Sequence, residues 1–155
     1  MVGTLRSVDH QPVVRAATPA DHPDLLRVWR RAVEATHDFL APADVDFYEQ
    51  AVAAYLPQMA DLRVIEGPDG RPAGFVAQDD GEVHMLFVDP AVHGRGLGTL
   101  LLDAVAAGQP ALRLDVNEQN ASGRRFYAAK GFTEVGRSPV DGEGRPFPLL
   151  HLRRG

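Results

Sequence analysis

The stretch Val88-Asp89-Pro90-Ala91-Val92-His93-Gly94-Arg95-Gly96-Leu97-Gly98-Thr99 sets three glycines within five residues, between an apolar run ending at Val88 and leucines at 97, 100 and 101. It reads as a strand end, a tight glycine loop and a helix start. Glycine lets the backbone approach a ligand closely and adopt positive φ, and the unpaired N–H groups and positive dipole of a helix's first turn attract anions. The segment is therefore a candidate phosphate cradle. No Lys-Ser or Lys-Thr pair follows the glycines, as a nucleoside-triphosphate loop requires, and the spacing is not the GxGxxG of dinucleotide-binding folds.

Upstream of the loop, Leu62 to Glu66, Pro72 to Gln78 and Glu82 to Val88 read as strands, separated by the turns Gly67-Pro68-Asp69-Gly70 and Asp79-Asp80-Gly81. They form an antiparallel meander. Further back, Val13 to Ala17 is a first strand and Thr18-Pro19-Ala20-Asp21 a helix start, with Thr18 as N-cap, Pro19 at the first helical position and Asp21 in the capping box. Leu25, Val28, Trp29 and Ala32 give that helix an apolar stripe, and a second helix is expected from about Asp44 to Leu56, stopped by Pro57.

Downstream, the helix after the loop runs to about Ala107, Ala111 to Val116 is a strand, and Gln119 to Lys130 is a helix closed by Gly131. Strand, helix, strand implies a parallel crossover. Phe132 to Gly136 and Phe147 to Leu152 complete the sheet. The expected fold is a single α/β domain over residues 12–155, a mixed central sheet of six or seven strands flanked by about four helices, preceded by a flexible segment at 1–11.

Composition narrows the function classes. A net charge of −5 lacks the broad basic face that nucleic acid requires. No apolar run reaches the roughly 18 to 20 residues of a membrane span, and the polar start lacks a secretory signal, so a cytoplasmic protein with no membrane partner is expected. The absence of cysteine removes disulfides, thiolate metal sites and a Cys nucleophile together, and the six histidines show no tight metal spacing, so no metal is expected. The single lysine against fifteen arginines is read as composition alone.

Taken in order, the Thr-Pro-x-Asp helix start, the meander ending Leu86-Phe87-Val88-Asp89-Pro90, the glycine loop, Asn117-Glu118-Gln119-Asn120 and Phe126-Tyr127-x-x-x-Gly131-Phe132 resemble the GCN5-related N-acetyltransferases over nearly the whole chain. Ala35-Thr36-His37-Asp38-Phe39-Leu40 and Gly136-Arg137-Ser138 with Pro148-Leu149-Leu150 bring it nearer to a small bacterial subgroup, the YjaB-type acetyltransferases. The resemblance implies acetyl-coenzyme A as cosubstrate and an amine acceptor whose identity it leaves open, with protein lysine preferred. Whether the chain is a homodimer is also left open. His93 stands where the family's loop opens with Gln or Arg, and His84 where the subgroup pattern has an acidic residue.

Acetyl transfer needs an oriented thioester, a neutral amine, a donor for the oxyanion and an acid for the departing thiolate. By resemblance, His93, Gly94, Arg95, Gly96, Leu97, Gly98 and Thr99 hold the pyrophosphate, Leu86, Phe87 and Val88 pair with the pantetheine arm, and Asn120 and Arg124 complete the cofactor contacts. Tyr127 is the candidate acid: a phenol of pKa ~10 is protonated at neutrality and can donate to a thiolate whose conjugate thiol lies near ~8.5. A seven-residue spacing sets Asn120 two turns from Tyr127 on one helical face, about 10.5 Å away. Glu82 and His84, two residues apart and on one strand face by alternation, are the alternatives for the base, with His84 preferred for its unperturbed pKa of ~6.5. His37 and Asp38 border the acceptor cleft. With no cysteine and no evident Ser-His-Asp grouping, direct attack in a ternary complex is expected, against the rival reading of a module that senses acyl-CoA without turnover.

Overall fold

The computed structural model describes residues 12–155, so the segment 1–11 lies outside the described residues. The chain runs β1 (Val14–Ala16), α1 (His22–Thr36), α2 (Pro42–Tyr55), β2 (Asp61–Glu66), β3 (Pro72–Asp79), β4 (Glu82–Val88), α3 (Leu97–Ala106), β5 (Leu112–Asn117), α4 (Ala121–Ala129), β6 (Thr133–Ser138) and β7 (Leu149–Arg154). These build one seven-stranded sheet in the order β1-β2-β3-β4-β5-β7-β6. The expected mixed sheet and four helices are both present. Among the described residues no helix is long and apolar enough to cross a membrane.

Local chemistry explains the boundaries. Before α1, the Asp21 carboxylate accepts from the Thr18 amide at 2.8 Å and from the two terminal guanidinium nitrogens of Arg15 at 2.9 and 3.0 Å, tying the helix entry to β1. That guanidinium, against the cost of burial, holds Asp21 down at about 2. The second helix begins at Pro42, two residues earlier than expected, because Asp44 reaches back to accept from the Ala41 amide at 3.0 Å and caps a proline-led first turn. The fourth begins at Ala121 rather than Gln119, because the Asn120 side-chain oxygen caps it by accepting from the Gly123 amide at 3.0 Å.

Two cores sandwich the sheet. Val64, Phe75, Ala77 and Met85 meet Leu25, Val28, Trp29 and Val33 of α1 on one face. On the other, Ile65, Val76, Val83, Leu114 and Leu152 meet Leu97, Leu101, Leu102 and Val105 of α3. Each fully buried aliphatic or aromatic side chain contributes about 1.5 to 3 kcal/mol. Val83 and Met85 belong to opposite cores although two residues apart. The pairing of β4 with β3 slips by one residue between Met85 and Val83, which makes His84 the extra residue of a β-bulge. The bulge breaks the alternation that would set Glu82 and His84 on one face.

Candidate active site

β4 and β5 are parallel neighbours paired only at Glu82↔Arg113 and Val83↔Leu114, whereas β5 pairs with β7 along its whole length from Leu112 to Asn117. Beyond Val83 the two strands part. The Asp89 amide donates to the Ala73 carbonyl at 2.8 Å, which makes Ala73/Asp89 a hydrogen-bonded pair of the antiparallel β3/β4 ladder. Hydrogen-bonded and non-bonded pairs alternate along such a ladder. Phe87, opposite Phe75, therefore bonds to β3, while Leu86 and Val88, opposite Val76 and Gly74, turn their N–H and C=O groups toward the parted edge. His93 agrees with this: its Nε2 lies 2.8 Å from the Val88 carbonyl, which can only accept, so the imidazole donates. Apart from the Val88 carbonyl, β4 thus offers the groups of this edge to an extended polar chain.

A cleft of about 600 Å³ runs from this edge over the glycine loop, lined by Leu86, Phe87, Val88, His93, Gly94, Gly96, Leu97, Gly98 and Thr99 on one side and by Asn120, Phe126, Tyr127 and Lys130 on the other. Gly96 caps α3 with φ +78°, and a Cβ there would meet nothing within 4 Å, so the glycine serves the backbone turn rather than close packing. Gly98 is different: a Cβ would sit 3.3 Å from the Phe126 ring, and its absence lets α3 and α4 close on each other. The first helical carbonyl bond is taken by Leu100, which donates to Gly96 at 3.0 Å, leaving the amides of Leu97, Gly98 and Thr99, residues that line the cleft, without a helical carbonyl partner. The loop is anchored by Asp89, which accepts from the Ala91 amide at 2.9 Å and from Arg31 of α1 at 3.1 Å. Burial pushes the Asp89 carboxyl up, but the Ala91 amide and the Arg31 and Arg27 guanidinium groups outweigh it and leave it below the usual range.

Tyr127 stands on α4 with its ring edge-on to Phe126 and Phe132, at 5.2 and 5.5 Å between centroids, and is packed against the α3-side core. One part of the side chain stays open to the cleft, and its hydroxyl has no partner among the described residues. The surrounding protein pushes the phenol well above its ordinary value, so it is a proton donor throughout the neutral range. Asn120 does not lie two turns along the same helix. As the N-cap it holds non-helical dihedrals (φ −87°, ψ 85°), and its carbonyl oxygen is engaged by Gly123 and Ser122, while its amide nitrogen is left for the cleft.

Where β4 and β5 part, a smaller hollow of about 100 Å³ is lined by His37, His84, Leu86, Phe87, Asp115, Asn117, Asn120 and Tyr127. His37, Leu86, Phe87, Asn120 and Tyr127 line both spaces, so they stand at the junction. The side of this junction formed by the segment after α1 carries an aromatic wall: His37 packs on Phe39 at 5.2 Å, and Phe39 on Phe147 at 5.9 Å. The β6–β7 connection is strapped to α2 there, through Tyr48 donating to Asp141 and Arg145 pairing with Asp44 at 2.9 Å.

The remaining sequence-derived residues lie apart. Glu82 sits at the still-paired base of β4, 3.6 Å from Arg113, and lines neither space. Arg95 and Asp38 are exposed, and Arg124 lies on the outer face of α4, where it donates to the Glu118 carbonyl at 3.2 Å. Lys130, set aside on composition, lines the main cleft. The grouping that the sequence did not display is also present: Ser138 Oγ lies 2.7 Å from His151 Nε2, and His151 Nδ1 lies 2.5 Å from Asp115. It spans three strands and forms only once β5, β7 and β6 pair. Asp115 reaches the hollow; Ser138 is on the edge strand β6, two strands from the parted pair.

The meander end at Leu86 to Val88, the glycine loop and Phe126-Tyr127, three of the segments that carry the sequence resemblance, line one cleft. A profile of the acetyltransferase (GNAT) domain matches residues 33–148. The chain belongs to the GCN5-related N-acetyltransferase family. It is 39% identical over 139 residues to the peptidyl-lysine N-acetyltransferase YjaB of Salmonella typhimurium, covering 90% of this chain and 95% of that one. The solution structure of apo-form YjaB from Escherichia coli superposes with a TM-score of 0.85 at 36% identity, over 92% of this chain and 97% of the other. The PaiA N-acetyltransferase of Thermoplasma acidophilum, solved with coenzyme A, shares the fold at a TM-score of 0.73 and 17% identity, over 93% of this chain and 98% of that one. As a member of this family the chain is an N-acetyltransferase.

Proposed function

We propose that this N-acetyltransferase uses acetyl-coenzyme A to acetylate lysine side chains of proteins, by direct attack of the amine in a ternary complex. The observation that carries the reading is the parted β4 edge: Leu86 presents a backbone donor and acceptor, and Val88 a donor, beside the same cleft that the first turn of α3 and Tyr127 line, the Val88 carbonyl being held by His93. An arm with two amide groups can pair with that edge as an added strand would. The pyrophosphate then falls to the loop from His93 to Thr99, with Lys130 supplying a positive charge. The lysine acceptor is supported by the naming of the Salmonella and E. coli relatives as peptidyl-lysine acetyltransferases.

Tyr127 donates its proton to sulfur as the thioester C–S bond breaks. The apolar surroundings that make the phenol a weaker acid also make a desolvated thiolate a stronger base, so donor and acceptor stay matched. The acceptor enters on the side of His37 and Asp38. Of the two β4 candidates for the proton acceptor, His84 lines the hollow and Glu82 does not.

A second reading, transfer through an acetyl-serine, is favoured by the Asp115–His151–Ser138 row. Direct transfer is preferred because Ser138 stands on the edge strand, outside both spaces. The deciding experiment incubates the purified chain with acetyl-coenzyme A and a panel of lysine peptides and small amines, following thiol release and product mass. Acetylated lysine with no acetyl-Ser138 in acid-quenched enzyme is the expected result. An acetyl-serine that forms without acceptor and vanishes on its addition supports the second reading. Saturable binding with no release on any amine supports a sensor.

A further inference from the structure

We propose that the acceptor amine is oriented and relieved of its proton by His37, whose imidazole is locked with its Nδ1 proton toward Thr36 and its Nε2 lone pair toward the junction of the two spaces. The inference rests on the acetyltransfer reading above and gives the proton-accepting role in it to His37 rather than to His84.

The tautomer follows from counting protons. Thr36 Oγ1 lies 2.8 Å from the Ala32 carbonyl and 2.7 Å from His37 Nδ1. A carbonyl can only accept, so the hydroxyl's one proton is directed at Ala32. Toward His37 the same oxygen must accept, and Nδ1 must carry the hydrogen. The lone pair is then on Nε2, which has no partner among the described residues, in a residue that lines both spaces with Tyr127 and Asn120.

The ring is also held in place. His37 ends α1, its amide donating to Val33 at 2.7 Å and its carbonyl accepting from Leu40 at 3.1 Å, and Phe39 packs against its face. The charged and titratable groups around it are Asp38 on its own segment, Tyr127 from α4, His84 from β4 and Asp115 from β5. Burial pushes His37 down to about 4, against the opposing pull of Asp38. A ring that is uncharged at neutrality does not repel an approaching ammonium, and its lone pair can take an N–H and aim the nitrogen.

The chemistry balances. The ammonium first releases one proton to solvent; the neutral amine nitrogen then attacks the thioester carbon, a C–N bond forms, and the carbonyl π pair moves to oxygen. The nitrogen, now cationic beside an oxyanion, is far more acidic than the parent ammonium, so a weak base suffices: its proton passes to Nε2. The oxyanion re-forms the carbonyl, the C–S bond breaks with its electron pair on sulfur, and Tyr127 protonates the thiolate. The imidazolium then loses its proton to water, and the phenolate regains one.

Two measurements test this on the full chain. In a long-range ¹⁵N–¹H spectrum of the histidine rings, His37 is expected as the Nδ1–H tautomer with a bare Nε2, whose resonance shifts when Nα-acetyl-lysine methylamide is added to the coenzyme A-bound protein. An Nε2–H tautomer, or no shift on saturating amine, overturns the proposal whether or not the chain turns over that amine. In steady-state assays on a lysine peptide that the parent acetylates, His37→Gln is expected to lower kcat/KM by about 10² with acetyl-coenzyme A affinity within about twofold, the scale of a lost acid–base group. Thr36→Val is expected to cost about tenfold by freeing the ring. Parent-like kcat/KM in folded His37→Gln also overturns it. Failure of the parent on every amine, with the resonance shift intact, sinks the acetyltransfer reading and keeps the amine site.

Discussion

The sheet has two halves that differ in what covers them. From β1 to β4 it is closed: Val64 and Phe75 are fully buried under α1, Ile65 and Val76 fully buried over α3, and the ladder between β2 and β3 runs from Asp61 to Glu66. From β5 to β6 one face packs on the core through Leu112, Leu114 and Val116, while the other carries Arg113, Asp115 and His151, partly open to solvent. The halves meet at two residue pairs. A continuous sheet satisfies its backbone and has nothing left to bind with; one that parts keeps unpaired groups on a rigid edge. Stability is thus concentrated in the closed half, and the unpaired backbone groups that the proposed function uses lie at the seam.

The largest effect expected on this division is chemical. Tyr127→Phe, at the seam, should lower kcat by about 10² to 10⁴ with acetyl-coenzyme A affinity and melting temperature nearly unchanged, since the ring keeps its packing on Phe126 and Phe132. Single-turnover kinetics with a verified acceptor check it, and a parent-like rate would leave Tyr127 with a packing role alone. Next comes the closed half: Phe75→Ala, at a fully buried site, should cost about 3 to 5 kcal/mol in urea unfolding, whereas His151→Ala on the open face should cost about 1 kcal/mol or less. Equal losses would erase the distinction between the halves.

The loop gives a smaller, cleaner contrast. Gly96→Ala and Gly96→Asp share the strain of a side chain at φ +78°, about 1 kcal/mol, but only the aspartate adds a negative charge beside the first-turn amides of α3. Calorimetry should show acetyl-coenzyme A binding weakened about 10² more by Asp than by Ala. Similar affinities would remove the loop from the anion site. The mildest effect is on pH. With His37 near 4 in the folded chain and ~6.5 unfolded, the unfolded chain binds more protons between those values, so stability rises with pH through that window and falls on acidification. His37→Gln should flatten this slope in urea titrations between pH 4.5 and 7; an unchanged slope would mean the ring titrates normally.

Much of this was legible in the sequence because periodicity and punctuation agree. Gly67 to Gly70, Asp80-Gly81 and Gly131 turn the chain where the structure turns it, and the glycine loop reads directly as a helix N-terminus. Features that depend on pairing were not legible. The bulge at His84 hides because a polar residue inserted between Val83 and Met85 mimics ordinary alternation. The Asp115–His151–Ser138 row needs strands 36 residues apart to be neighbours. The sequence reads Asn120 as helical because capping and helical asparagines look alike; the bond from the Gly123 amide distinguishes them. The Thr36–His37 relay was visible only as two adjacent polar residues, and which nitrogen holds the proton depends on a carbonyl one turn back.

The seam itself is tested most directly by residue-resolved amide exchange on β4 with and without acetyl-coenzyme A. The pairing derived from Asp89 and Ala73 leaves the Phe87 amide bonded to β3 and turns those of Leu86 and Val88 to the open edge. Leu86 and Val88 should exchange fast in the free protein and become protected by at least about tenfold when acetyl-coenzyme A binds, with Phe87 slow in both states. Protection of neither amide on saturation, or slow exchange at both in the free protein, would contradict the parted edge as the binding site.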